Sequence, residues 1–201
     1  MTTTKPRTGL RLSVQEFMEL DDTWDKRKME LDDGVLYVMP RPRIVHNFVQ
    51  NEFFAHFREY RSRLEAPPIQ VYTDVIVALS LESGRLYAPD VTVILPDNPG
   101  AVRDRMVEGA PDIVIEVLSS DRNRDLVRKR QVYAEAGIPH YWVFDPQEQA
   151  FGEFVLDPER GAYVEHWHEH AAVRPRLFAD AQPPLTLELP GLWPGSLYPP
   201  A

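Results

Sequence analysis

Residues 112–120 read DIVIEVLSS, and no other stretch limits the fold so tightly. Alternation along a strand puts Ile113, Ile115 and Val117 on one face and Val114, Glu116 and Leu118 on the other. Both faces carry apolar side chains, so the run is expected to be a central strand covered on both sides. Glu116 is the exception. Burying an unpaired carboxylate costs several kcal/mol. It must therefore be protonated, paired with a cation or bound to a metal.

A second acid poses the same problem. In YAPDVTVIL, Asp90 opens an apolar strand and shares a face with Thr92 and Ile94. If the strands at 90 and 116 are neighbours, their two carboxylates converge. Two hard oxygen donors with room for water suit Mg²⁺ or Mn²⁺. The next element, RNRDLVRKRQVYAEAG, reads as a helix with Leu126, Lys129, Tyr133 and Ala136 on its apolar, inward face. Lysine is scarce in this chain, with four in all and none after Lys28 except Lys129. A compact ammonium there differs in kind from the surrounding guanidinium groups.

The rest of the chain frames these groups. Ser13 and Glu16 form a capping box, which places a helix over about 13–20. MELDDGVLYVM (29–39) reads as a hairpin about Asp-Gly. Apolar residues at 45, 48, 49, 53, 57, 60 and 64 predict a helix with one buried stripe, ended by Pro67-Pro68. Residues 70–79 and 85–95 each read as one strand, joined around Gly84, with a polar loop at 96–111. The helix at 121–136 stops at Gly137, and strands are expected at 140–145, 152–156 and 162–168. From 173 to 201 proline is frequent and the pattern fades, except for one short strand in PLTLELPGL. The reading is one domain over 1–201 of α/β or α+β class, with a mixed sheet flanked by helices.

Composition removes several classes. There is no cysteine, hence no disulfide, thiolate zinc site or cysteine nucleophile. No apolar run approaches the ~20 residues of a membrane span. With no secretory leader visible, the expected location is cytoplasmic. The formal charge of −9 argues against a simple nucleic-acid coat, though not against an enzyme that holds a cation between itself and phosphate.

Taken in order, Pro89-Asp90, Glu116 in a hydrophobic strand and a nearby lysine resemble the PD-(D/E)XK nuclease superfamily. More closely, the chain is similar to the Uma-type family of restriction-endonuclease-like proteins. The matching text is MELDDGVLYVMP with His46, then YAPDVTVIL, then PDIVIEVLSSDRNRDLVRKRQVYAEAGIPHYWVFDP, most of residues 29–146. Two departures stand out. The superfamily puts lysine two residues after the second acid, where this chain has Leu118, so Lys129 stands in from the next helix. His140 sits where the family often has an acid.

The resemblance implies a restriction-endonuclease-like core over about 29–146 and Mg²⁺-dependent (or Mn²⁺-dependent) hydrolysis of nucleic-acid phosphodiesters, DNA first. Asp90 and Glu116 are then the metal ligands, and Lys129 orients water or offsets charge at phosphorus. By family position Glu30 is an auxiliary acid and His46 a neighbour of the site. Arg122, Arg124, Arg128 and Arg130 surround it and could steer phosphates, or pair with Asp121 and Asp125 on an exposed helix face. A homodimer suits the cutting of two strands, although nothing in the sequence itself shows one.

Plainer readings compete. Glu116 and Lys129 could form a structural ion pair in a non-catalytic binding protein of the same fold, or the metal site could serve another phosphoester. Glu30 reads equally well as part of a solvated hairpin, and Tyr133 and Trp142 as core. In HWHEH, His166, His168 and His170 share a strand face, yet no ordered support for zinc is visible beside them.

Overall fold

Asp33 and Gly34 both take positive φ, 49° and 75°. That is the backbone twist a two-residue hairpin turn requires, and glycine supplies half of it without steric cost. The turn joins β1 (Met29–Asp32) to β2 (Val35–Val38). The computed structural model describes residues 5–23, 28–65, 69–98, 102–119, 121–169 and 172–193; side chains at 21–23 lie outside that description. Pro67, Pro68 and His170 fall outside it as well.

The capping box forms as expected. Ser13 N–H donates to Glu16 Oε2 at 2.7 Å, and Glu16 N–H to Ser13 Oγ at 3.2 Å. It starts α1 (Val14–Thr23), whose Phe17 and Met18 cover Leu31, Leu36 and Leu86. The long helix α2 (Ile44–Ser62) buries Val49, Phe53, Phe57 and Tyr60, the expected stripe, and Gln50 beside them.

The strands expected at 70–79 and 85–95 are each two strands. The first divides into β3 (Gln70–Thr73) and β4 (Val77–Ser80), the second into β5 (Arg85–Tyr87) and β6 (Val91–Ile94). β4 and β5 do pair around the Gly84 turn. Asp74, at φ 52°, breaks the first run, and Ala88–Asp90 breaks the second. The breaks send the two halves into different sheets. One sheet has the order β2-β1-β5-β4-β7, with β7 at Val107–Glu108. The other runs β11-β10-β9-β8-β6-β3. Here β8 is Ile113–Val117, β9 His140–Asp145, β10 Ala150–Asp157 and β11 Ala162–Glu169. β8 runs parallel to β9 and antiparallel to β6, so the sheet is mixed and β8 lies inside it.

Both faces of β8 are covered, as its composition demands. Ile113, Ile115 and Val117 face α2 together with Trp142, Phe144 and Phe151. The C-terminal segment closes that core through Phe178, Leu187 and Leu192, and pairs β12 (Ala172–Val173) with β13 (Leu187–Glu188). Val114 and Leu118 face the other way, toward Val132, Tyr133 and Tyr141. The architecture is α+β, with mixed sheets flanked by a few helices. No described helix is long and apolar enough to cross a membrane.

Away from β8, Glu153 on β10 is fully buried and accepts Arg176 N–H at 2.6 Å through Oε1. Among the described residues its Oε2 has no donor, and His168 Nε2 stands 3.7 Å away. Burial raises its pKa above the usual carboxylate value. The native state thus holds that proton more tightly than the unfolded chain, and stability falls as pH climbs from the unfolded pKa through the folded one. Glu153→Gln is expected to be more stable than wild type at pH 8. At pH 4 the difference should vanish. Urea denaturation at the two pH values checks this; an equal difference at both removes Glu153 as its source. His166 meets Arg176 Nη2 at 3.3 Å, and among the described residues no three histidine or acid side chains are spaced to hold a metal.

Candidate active site

The antiparallel register of β6 and β8 pairs Val91 with Ile115. One step further along, Asp90 and Glu116 come to lie across from each other. Asp90 is 1% exposed and Glu116 2%. Each acid is satisfied differently. Asp90 Oδ2 accepts Val117 N–H at 2.8 Å and lies 3.1 Å from His46 Nε2 at the start of α2. Its Oδ1 is held by Lys28 Nζ at 2.5 Å. Glu116 Oε1 takes two donors, Lys129 Nζ at 2.8 Å and Tyr133 OH at 2.7 Å. Its Oε2 receives no hydrogen bond among the described residues.

Lys129 reaches Glu116 from a wide helical turn. Residues Arg124–Lys129 are π-helical and run on into α3 (Arg130–Glu135), where an ordinary helix was expected. Tyr141 OH donates to the Asp125 carbonyl at 3.1 Å, supplying a hydrogen bond from outside the helix. Asp125 and Lys129 are both buried in this turn. Lys129 Nζ lies 3.0 Å from Glu30 Oε1 and 3.7 Å from Asp125 Oδ1, besides Glu116. Its charge is thus held among three acids.

Glu30 is not a solvated hairpin residue. It is fully buried on β1, where Arg124 Nη2 meets its Oε2 at 2.7 Å and Ala88 N–H donates to its Oε1 at 3.3 Å. The Arg124 guanidinium also lies 3.8 Å over the Tyr37 ring. The hairpin sheet therefore supplies one wall of the site and the central sheet the other. They meet where the two long runs change sheet, at Asp74 and at Ala88–Asp90.

The electrostatics separate the two facing acids. Burial pushes Glu116 up to about 7, with the Asp90 charge adding to the rise and Lys129 opposing it. Burial works against the Asp90 charge too, but Lys28 and His46 outweigh it and hold the group below the carboxylate range. Unlike pKa values on facing carboxylates mark sites where one group stays charged and the other exchanges a proton near neutrality.

Of the residues singled out from sequence, Asp90, Glu116, Lys129, Glu30 and His46 come together here. The four arginines divide. Arg124, 9% exposed at its side chain, is built into the wall. Arg122, Arg128 and Arg130 pair with Asp145, Asp32 and Glu165, not with Asp121 or Asp125, and keep 41%, 33% and 33% side-chain exposure. Lys28, Asp125, Tyr133 and Gln50 are members that sequence reading misses. Tyr133 reads as core because it is core: its ring packs on Tyr87 and Tyr141 while its hydroxyl reaches Glu116. Asp125 carries the one usable signal, an acid four residues before Lys129 on the same helix face.

A family model described as "Uma2: Putative restriction endonuclease" matches residues 14–193. A comparison with curated proteins finds no match. Among solved structures, the fold is similar to that of a putative nuclease of the DUF820 family from Anabaena variabilis. The TM-score is 0.68 and the identity 18%, over 90% of this chain and 97% of that one.

Proposed function

Since the chain belongs to the Uma2 family of putative restriction endonucleases, we propose that it hydrolyses nucleic-acid phosphodiester bonds, DNA first, using Mg²⁺ or Mn²⁺ held by Asp90 and Glu116. One observation carries the reading: two buried acids, Asp90 just before β6 and Glu116 on the adjacent β8, are brought together by the strand register, and the ammonium of the following helix touches one of them at 2.8 Å. The donor set suits a hard cation, being carboxylate oxygen throughout. Among the described residues Glu116 Oε2 receives no hydrogen bond, and Asp90 Oδ1 is held by a single ammonium.

Such an ion, when bound, acidifies its water and offsets phosphate charge. The chain's own groups do the rest. Lys129 and Tyr133 lock Glu116 through Oε1 and so leave Oε2 for the cation. His46 and the Val117 N–H fix Asp90 through Oδ2. Glu30 and Asp125 hold Lys129 in place, with Arg124 clamping Glu30 from the far side. Lys129 is also a fixed positive charge 2.8 Å from Glu116, and it would offset negative charge building on a phosphate bound at the site. Arg122, Arg128 and Arg130, each partly exposed, would steer phosphates toward the site, and a homodimer would bring a second site to the opposite strand.

A second reading has its own support. Every acid here already has an internal cation, as in a structural ion-pair network of a non-catalytic protein. Calorimetric titration of Mn²⁺ into wild type, Asp90→Asn and Glu116→Gln, followed by nicking of supercoiled plasmid, separates the two. Wild type is expected to bind and nick, and each variant to lose more than about a hundredfold in both. Negligible binding by all three sinks the nuclease reading in favour of the ion-pair network. Binding without cleavage of DNA or RNA points to another phosphoester.

A further inference from the structure

We propose that Lys28 is a resident counter-ion that occupies the cation seat of Asp90, and that Asp74 is the place to which it withdraws when a divalent cation enters. The inference rests on the metal-site reading above. Its starting point is the division of labour on Asp90. Oδ2 is committed to the Val117 N–H and His46, whereas among the described residues Oδ1 is held by Lys28 alone. Oδ1 is therefore the oxygen a cation shared with Glu116 would take.

The two site lysines are not equivalent. Lys129 is 4% exposed at its side chain and is enclosed by Glu30, Glu116 and Asp125. Lys28 is 19% exposed and sits at the entry to β1, with its carbonyl tied to Met39 N–H. It touches two acids, Asp90 and, at 3.2 Å, Asp74 Oδ1. Asp74 is 49% exposed, so it lies at the solvent side of the pair.

Gln50 fixes the gap between those acids. Its Nε2 donates both to Asp74 Oδ2 at 2.8 Å and to the Asp90 carbonyl at 2.9 Å. Asp74 itself is held at positive φ where the first long run leaves its sheet. A short movement of one ammonium exchanges a buried partner for a wet one, and neither end of the movement leaves it unpaired. Without a metal, Lys28 spares the protein an uncompensated buried charge at Asp90. With one, two cations compete for one oxygen.

Competition makes opposite predictions for stability and affinity, which a merely structural ion pair does not. Lys28→Met is expected to melt below wild type in EDTA, yet to bind Mn²⁺ roughly tenfold more tightly and to gain more in melting temperature when Mn²⁺ is added. Asp74→Asn is expected to weaken Mn²⁺ binding several-fold in the wild-type background and by less than about twofold in Lys28→Met, because the withdrawn lysine is then absent. Calorimetry on wild type, the two single variants and the double variant reads all of this. Equal or weaker binding by Lys28→Met overturns the proposal. So does an equal loss from Asp74→Asn in both backgrounds, which would make Asp74 a ligand instead. If neither wild type nor Lys28→Met binds Mn²⁺, or if Asp90→Asn leaves the tight binding of Lys28→Met intact, the underlying metal-site reading fails with it.

Discussion

Replacing Lys129 by methionine is expected to cost the fold about 3–5 kcal/mol at pH 8, and much less at pH 5.5. The ammonium is the shared partner of Glu30, Glu116 and Asp125, all buried. Glu30 keeps Arg124 when the lysine goes, but among the described residues Glu116 retains only the Tyr133 hydroxyl. Glu116 already loses its proton only at about 7 with Lys129 present, and burial raises the Asp125 value too. Removing the cation raises both further. Below those values the acids are neutral and need no counter-charge, so the deficit shrinks as pH falls. Chemical denaturation of both proteins at the two pH values measures it. A deficit that does not depend on pH would mean that the lysine acts through packing alone.

Trp142→Ala is expected to cost about as much, roughly 3–5 kcal/mol, for an unrelated reason. The ring is fully buried and stacks on Phe57 of α2 at 5.8 Å, with Phe151 at 5.4 Å and Phe178 at 6.3 Å. It ties the central sheet to both the long helix and the C-terminal segment. Its neighbour across the sheet is Ile115, one residue from Glu116 but on the opposite face. The denaturation midpoint should fall sharply, while Mn²⁺ affinity measured well below the transition stays within about twofold of wild type. The pair of variants thus separates loss of fold from loss of site. A tenfold drop in Mn²⁺ affinity for Trp142→Ala would show that the two faces of the sheet are coupled.

The contrast also explains what the sequence discloses. Period-two alternation in DIVIEVL and the apolar stripe of α2 are local signals, and both survive into the structure because each face meets a continuous core. The convergence of Asp90, Glu116 and Lys129 is legible for the same reason: strand pairing and helix face follow from local periodicity. The breaks at Asp74 and at Ala88–Asp90 are not legible. Apolar and β-branched residues resume within one to three positions of each corner, so the pattern reads as continuous, and which sheet each half joins is decided by pairing with distant strands. Partner choice is hidden too. Arg124 looks like any arginine on a charged helix. Only the approach of the hairpin sheet, set by distant contacts, decides that its guanidinium binds Glu30, while its backbone N–H donates to Asp121 Oδ1 at 3.2 Å.

The wide turn at Arg124–Lys129 bears on how such sites are found by spacing. A π-helical turn closes its hydrogen bonds over five residues where an α-helix uses four, so it takes up one extra residue without advancing the next turn. A relative with an ordinary helix would need one residue fewer to bring its ammonium to the same carboxylate. The count of thirteen from Glu116 to Lys129 is therefore no ruler for this geometry. A pattern search written on a fixed interval would pass over chains that build the same arrangement, and one that tolerates a single-residue gap within the following helix would recover them.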